Sequence, residues 1–187
     1  METNILAVDR AYTPDRWIGL PDAMRLYGRG AVQASFGNIA AVLRGGVNAR
    51  TGRKSILEVR SILVVDTQDF LVRDFSYAPL ERVYLFRRDR NMCAYCGEVF
   101  KFQELTVEHI APVAQGGGNT WENWVTACRH CNQKKGCRTP EQANMPLLYV
   151  PYRPSRFEWL ILANRNVLGC QMEFLMARVP RHSRLHA

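Results

Sequence analysis

The stretch that decides the fold runs from Cys93 to Arg138: CAYCGEVFKFQELTVEHIAPVAQGGGNTWENWVTACRHCNQKKGCR. Two Cys-x-x-Cys pairs, Cys93/Cys96 and Cys128/Cys131, frame Glu108-His109, a triple-glycine loop and Asn123, and Asn132 follows the last cysteine directly. Four thiolates in paired knuckles suit a tetrahedral Zn2+ with no open coordination position, which is a structural site. The groups between the knuckles are of another kind: a carboxylate, an imidazole and two amides. That set suits a hard divalent ion and a water to be activated. The stretch therefore predicts one metal for shape and a second for chemistry.

Within it, Leu105 to His109 alternates like a strand and Pro112 ends the run. Successive strand side chains point to opposite faces, so Glu108 and His109 meet at one ion only if the strand frays or bulges there. Residues 115–119, QGGGN, form a loop with freedom of backbone angle. Trp121 and Trp124 straddle Asn123 and are expected as core plugs that hold this loop. Val125 to Ala127 predicts a second short strand, and a helix carrying Asn132, Lys134 and Lys135 is expected to stop at Gly136. The sum is strand, loop, strand, helix around an ion. His130, between two thiolates, is a bystander or a phosphate contact. Cys137 is a packing residue or a spare ligand, and Cys170 a packing residue.

Upstream, LERVYLFRRDRNM (80–92) predicts a short helix leading into the first knuckle. Its arginines, Arg87 and Arg88 among them, face either a phosphate backbone or plain solvent. Residues 1–86 form an α+β region: a strand at Ile5–Val8, a turn at Tyr12–Asp15, and a helix from Pro21 that stops at Gly28. Val32 to Phe36 is followed by LRGGVNARTGRK, a mobile basic loop or hairpin tip, and Ser55 to Asp66 is the best strand candidate. Downstream, PEQANM is a short helical turn and LLYVPYRPSR an extended strap. Ser155 caps a helix through Phe157, Leu160 and Ile161, with Glu158 as capping-box partner. Val167 to Val179 is apolar, helix or strand, and the basic end RVPRHSRLHA is expected to fray and touch nucleic acid loosely.

Composition sets the outer bounds. The 187 residues allow one good core, or a domain with a smaller appendage. With 47% hydrophobic and 22% charged residues, wholesale disorder is excluded. A net charge of +8 favours phosphate-rich partners, chiefly nucleic acid. No run approaches the roughly 18 apolar residues of a membrane span, and METNILAVDR has no long apolar core. Six cysteines in such a chain are expected to be reduced thiols in the cytoplasm, where paired knuckles bind metal.

At VEHIAPVAQGGGNTWENWVTACRHCNQKKG, led by CAYCG, the sequence resembles the HNH endonucleases, a branch of the His-Me finger (ββα-metal) nucleases. The resemblance implies a zinc-stabilised ββα-metal core at 87–145; with the N-terminal α+β appendage read at 1–86 and a C-terminal helical extension at 146–187, the expected fold class is α+β. It implies that His109 is the general base that activates water and that Asn123 orients it through amide or backbone. Glu108 and Asn132 would supply oxygen ligands to Mg2+ or Mn2+, while Cys93, Cys96, Cys128 and Cys131 hold Zn2+. Arg87, Arg88, Arg129, Lys134, Lys135 and Arg138 would grip the backbone of double-stranded DNA. The sequence departs from the family at position 108, Glu where Asp or His is common, and at 132, Asn where the name-giving His stands. The expected activity is nicking or double-strand cleavage of DNA, with the first region as a DNA contact or a homodimer surface. The competing expectation is a zinc-stabilised nucleic-acid-binding module without hydrolytic activity; an RNase is a third.

Overall fold

The computed structural model describes residues 4–66 and 79–186. They form two compact units, one built from residues 4–66 with 164–178, the other from 79–163 with 179–186. The sequence-based divisions at 86/87 and 145/146 do not coincide with these units. The strap and the helix after it stay with the central stretch, and a later helix belongs to the N-terminal sheet.

The N-terminal unit is a four-stranded sheet in the order β2-β1-β4-β3. Strand β1 (Ile5–Val8) is wholly buried because it lies between antiparallel β2 (Pro14–Ile18) and parallel β4 (Lys54–Val65). Helix α1 (Leu20–Gly28) has Pro21 in its first turn, where the missing N–H costs nothing, and buries Ala23. Strand β3 (Val32–Val47) runs antiparallel along β4, the two forming one long hairpin. Of the basic passage 43–54, residues 43–47 and 54 are strand and 48–53 form the hairpin tip, the second of the two expected forms. Helix α6 (Gly169–Met176) is fastened by a buried side chain: the Gln171 amide donates to Asn4 O (3.0 Å) and Ser61 O (2.8 Å).

The second unit holds the cysteine-rich stretch. Helix α2 (Arg82–Arg88) buries Leu85 and Phe86 against Leu105 and Trp121. Strands β5 (Leu105–His109) and β6 (Trp124–Cys128) pair antiparallel in unbroken register, Leu105 opposite Cys128 through His109 opposite Trp124. Helix α3 (Arg129–Lys135) follows at once and ends where Gly136 takes a positive φ of 57°. The predicted strand, loop, strand, helix order is therefore present. Helix α4 (Pro140–Ala143) is closed by a Thr139/Gln142 capping box, and α5 (Arg156–Ala163) follows the strap.

Ser155 Oγ does accept the Glu158 N–H (3.3 Å), but Glu158 does not complete a capping box. Its carboxylate turns inward, fully buried, to the hydroxyls of Tyr152 and Ser183. The C-terminal end is likewise held and not frayed: Ser183 is buried, and the Arg184 guanidinium lies 4.0 Å from the Tyr149 ring centre. Among the described residues no helix is long and apolar enough to cross a membrane.

Candidate metal centre and hydrolytic site

The metal centre follows from two tight turns brought together by β6. Cys93 and Cys96 lie on a turn closed by Gly97, whose φ of 78° a side chain would resist, and the turn is tied to β6 by Ala94 N–H to Thr126 O (2.8 Å). Cys128 caps α3 and its sulfur accepts the Cys131 N–H at 3.4 Å. All four sulfurs lie within 4.8 Å of one another. A tetrahedral ion with Zn–S bonds near 2.3 Å needs sulfurs roughly 3.8 Å apart, so a thiophilic ion such as zinc fits. Burial pushes the Cys93 thiol up, yet backbone N–H groups around it outweigh that and leave it lowered, as a thiolate ligand requires. Burial and the neighbouring thiols push Cys96 and Cys131 up, a tension that a cation relieves. Cys137 is exposed and outside the cluster, neither spare ligand nor packing residue.

The second set of residues sits at the far end of β5. Because the strand is regular to its last residue, it neither frays nor bulges, and Glu108 and His109 project to opposite faces. Glu108 faces α3 and is nearly buried; its Oε1 accepts from Lys135 Nζ at 2.5 Å, and Lys135 also donates to His109 O at 2.8 Å. Glu108 Oε2 has no hydrogen-bond partner among the described residues. On the same face the Asn132 amide nitrogen donates to Thr106 Oγ1 (2.9 Å) and Val107 O (3.5 Å), and its Oδ1 has no hydrogen-bond partner among the described residues. A carboxylate oxygen and an amide oxygen fit a hard cation.

His109 lies on the opposite face, half-buried. Its Nε2 is 2.9 Å from Asn119 Oδ1 and 2.9 Å from the Trp124 indole nitrogen. One ring nitrogen cannot serve both as drawn. Donation to Asn119 leaves Nδ1 unprotonated and basic, whereas accepting from Trp124 places the proton on Nδ1. The two neighbours thus compete over the tautomer.

Asn123 does not touch the imidazole. Its side chain clamps the glycine loop, accepting from Ala111 N–H (2.8 Å) and donating to Ala111 O (3.1 Å) and Gly118 O (2.9 Å); its carbonyl accepts the Ile110 N–H. Gly117 is what admits this clamp: a Cβ there would stand 1.7 Å from Ala111 O. The hydrogen-bonding neighbours of the imidazole are Asn119 and Trp124, not Asn123. For Asn119 the signal available was the triple glycine, which curls the loop back toward the strand end. Trp121 is a core plug as expected, but Trp124 is also a neighbour of the imidazole.

The expected phosphate-gripping cations divide. Arg88 is fully buried, donating to Asp89, to Trp121 O (2.8 Å), Tyr152 O (2.8 Å) and Trp124 O (2.9 Å), and cannot reach DNA. Lys135 is equally buried on Glu108. Arg87 donates to the Leu162 carbonyl, and Arg138 closes the end of α3 through Lys134 O and Lys135 O. Arg138 is nonetheless exposed, as are Lys134 and Arg129, the last also donating to Gln103 O (3.2 Å). Arg129 joins Arg82, Thr106 and Asn132 in lining a cleft of about 600 Å³. A larger cavity, about 760 Å³, flanks the cysteines and includes neither Glu108 nor His109, so volume alone does not locate the chemistry.

Residues 93–148 match the HNH endonuclease family. The chain also resembles two individual relatives over part of its length. Over 62 residues, 33% of the chain, it is 45% identical to the CRISPR-associated endonuclease Cas9 of Corynebacterium diphtheriae, and this covers 6% of that protein. Over 89 residues, 44% of the chain, it is 26% identical to the Type IV methyl-directed restriction enzyme EcoKMcrA of Escherichia coli, covering 31% of it. The chain therefore spans only a minor part of either relative.

Proposed function

We infer that the chain is a metal-dependent DNA endonuclease that hydrolyses phosphodiester bonds, with His109 as general base and the four cysteines holding a structural zinc. The observation that supports this best is the opposed placement of the site residues at the end of β5. In-line displacement at phosphorus puts the attacking and the departing oxygen on opposite sides. A regular strand sends His109 to one face and Glu108, with Asn132, to the other, which matches that demand.

In this account the scissile phosphodiester lies across the strand end. His109, donating Nε2–H to Asn119, takes a proton at Nδ1 from the attacking water; the imidazolium that forms keeps its hydrogen bond to Asn119. A Mg2+- or Mn2+-type ion bound through Glu108 Oε2 and Asn132 Oδ1 would polarise the phosphate and stabilise the departing 3′ oxygen. Lys135 holds Glu108 in place, Asn123 holds the loop that bears Asn119, and Arg129 and Lys134 contact the DNA backbone. The likeness to a CRISPR-associated endonuclease and a restriction enzyme supports nuclease activity on DNA.

Conversion of supercoiled plasmid to relaxed or linear form, with Mg2+ or Mn2+ added, tests the assignment. Wild type should convert it, and Glu108→Gln and Asn132→Ala, purified with zinc still bound, should not. Equal conversion by all three would remove the proposed ion site.

A further inference from the structure

The N-terminal unit carries a basic device that the hydrolytic site does not use. Strand β4 pairs with β1 only over Ile62–Val64, whereas its pairing with β3 continues outward to Val47 opposite Lys54. The outer part of this hairpin, residues 44–56, is a two-stranded ribbon in which every residue is exposed. It contains Arg44, Arg50, Arg53 and Lys54 and no acidic residue. None of these four side chains has a hydrogen bond or ion pair with a described residue.

The tip is built, not slack. Asn48 N–H donates to Arg53 O (2.9 Å) and Gly52 N–H to Asn48 O (2.8 Å), while Asn48 Oδ1 accepts the N–H groups of Arg50 (2.9 Å) and Thr51 (3.1 Å). Val47 and Ile56, 57% and 62% exposed, stand among the cations. Four like charges with no partner among the described residues repel one another on this frame, and a polyanion would relieve that repulsion. A two-stranded ribbon has the width of the major groove of B-form DNA, where cations reach the phosphate walls and apolar side chains meet thymine methyl groups.

We propose that the 44–56 ribbon inserts into the major groove of duplex DNA, with Arg44, Arg50, Arg53 and Lys54 on the phosphates. The ribbon deepens the DNA-endonuclease reading and takes its choice of polyanion from it. The test is duplex binding by the full chain, measured by fluorescence anisotropy over a range of salt without added divalent ion. The comparison is wild type against the variant with all four cations changed to Gln, both checked for zinc content and melting temperature. Each lost phosphate contact lowers the magnitude of the slope of log K against log salt by about 0.9, so the variant, with four contacts gone, should lose about 3.6 in slope. A second duplex, with glucosylated hydroxymethylcytosine filling its major groove, should bind wild type at least about tenfold more weakly and the variant no differently from plain DNA. An unchanged slope overturns the ribbon as a DNA contact, and wild type that binds both duplexes alike overturns the groove. A chain that binds through the ribbon yet cuts nothing would sink the nuclease reading and leave the ribbon standing.

Discussion

The Lys135 ammonium, its side chain sealed from solvent, stands 2.5 Å from Oε1 of Glu108, the residue that precedes the histidine proposed as base. A lysine expected to grip DNA is thus an internal strut that fixes a carboxylate. Removing one member of a buried pair leaves an uncompensated charge, so Lys135→Met should cost about 3–5 kcal/mol of stability in denaturant unfolding. Pairing it with Glu108→Leu should recover much of that loss. If the single substitution is neutral, the strut is not holding the fold.

Arg88 gives a second check of the same kind. Its guanidinium donates to Asp89 and to three backbone carbonyls of two segments, a geometry that lysine cannot reproduce. Arg88→Lys should therefore destabilise the unit by several times more than a surface substitution, while the folded fraction keeps its affinity for DNA. A large loss of affinity at full stability would return Arg88 to the phosphate-contact set.

For the cysteine cluster, elemental analysis should find about one zinc per chain, and Cys131→Ser or a strong chelator should unfold the second unit as read by circular dichroism. A unit that stays folded without the ion would show that its small core suffices alone.

The glycine loop couples shape to chemistry. Gly117→Ala forces a Cβ onto Ala111 O and should lift the loop, withdrawing Asn119 from His109. The cleavage rate should fall about a hundredfold with little change in zinc content, and Asn119→Ala should match it, because both release the tautomer that leaves Nδ1 basic. Trp124→Phe, which removes the competing donor, should be much milder.

Alkaline pH probes the packing around the strap. Burial, aided by the Glu158 carboxylate, pushes the Tyr152 hydroxyl up to about 12, and burial likewise raises Tyr95 and Tyr149. A raised pKa favours the neutral phenol in the fold. That stabilisation is complete below the ordinary value of 10 and is lost as pH rises from there towards about 12. Thermal melts should fall across that window, and Tyr152→Phe should flatten the fall. A melting temperature that is constant above pH 10 would contradict the buried setting.

Much of this site was legible from spacing. The paired cysteines, the strand ending at His109 and the helix stopping at Gly136 all follow from local chemistry, because knuckles, alternation and a positive-φ glycine are short-range signals. The fate of long cations was not legible. Arg88 and Lys135 look like their exposed neighbours in sequence, and only tertiary packing supplies the carbonyls and the carboxylate that bury them. The same holds for Glu158, whose place in a capping-box pattern was overruled by two hydroxyls, Tyr152 nearby and Ser183 far along the chain. Nor could the chain order show that Gln171, late in the sequence, fastens a helix to the first strands. Asn119 was missed in favour of Asn123 because which amide meets the imidazole depends on how the glycines fold the loop back.

Single-turnover cleavage of a DNA duplex by His109→Gly, with and without added imidazole, tests the central claim most directly. If His109 is the base, the variant should be slower by about 10²–10⁴-fold and free imidazole should restore part of the rate. Cleavage at the wild-type rate by the variant, with zinc bound and no imidazole present, would contradict it.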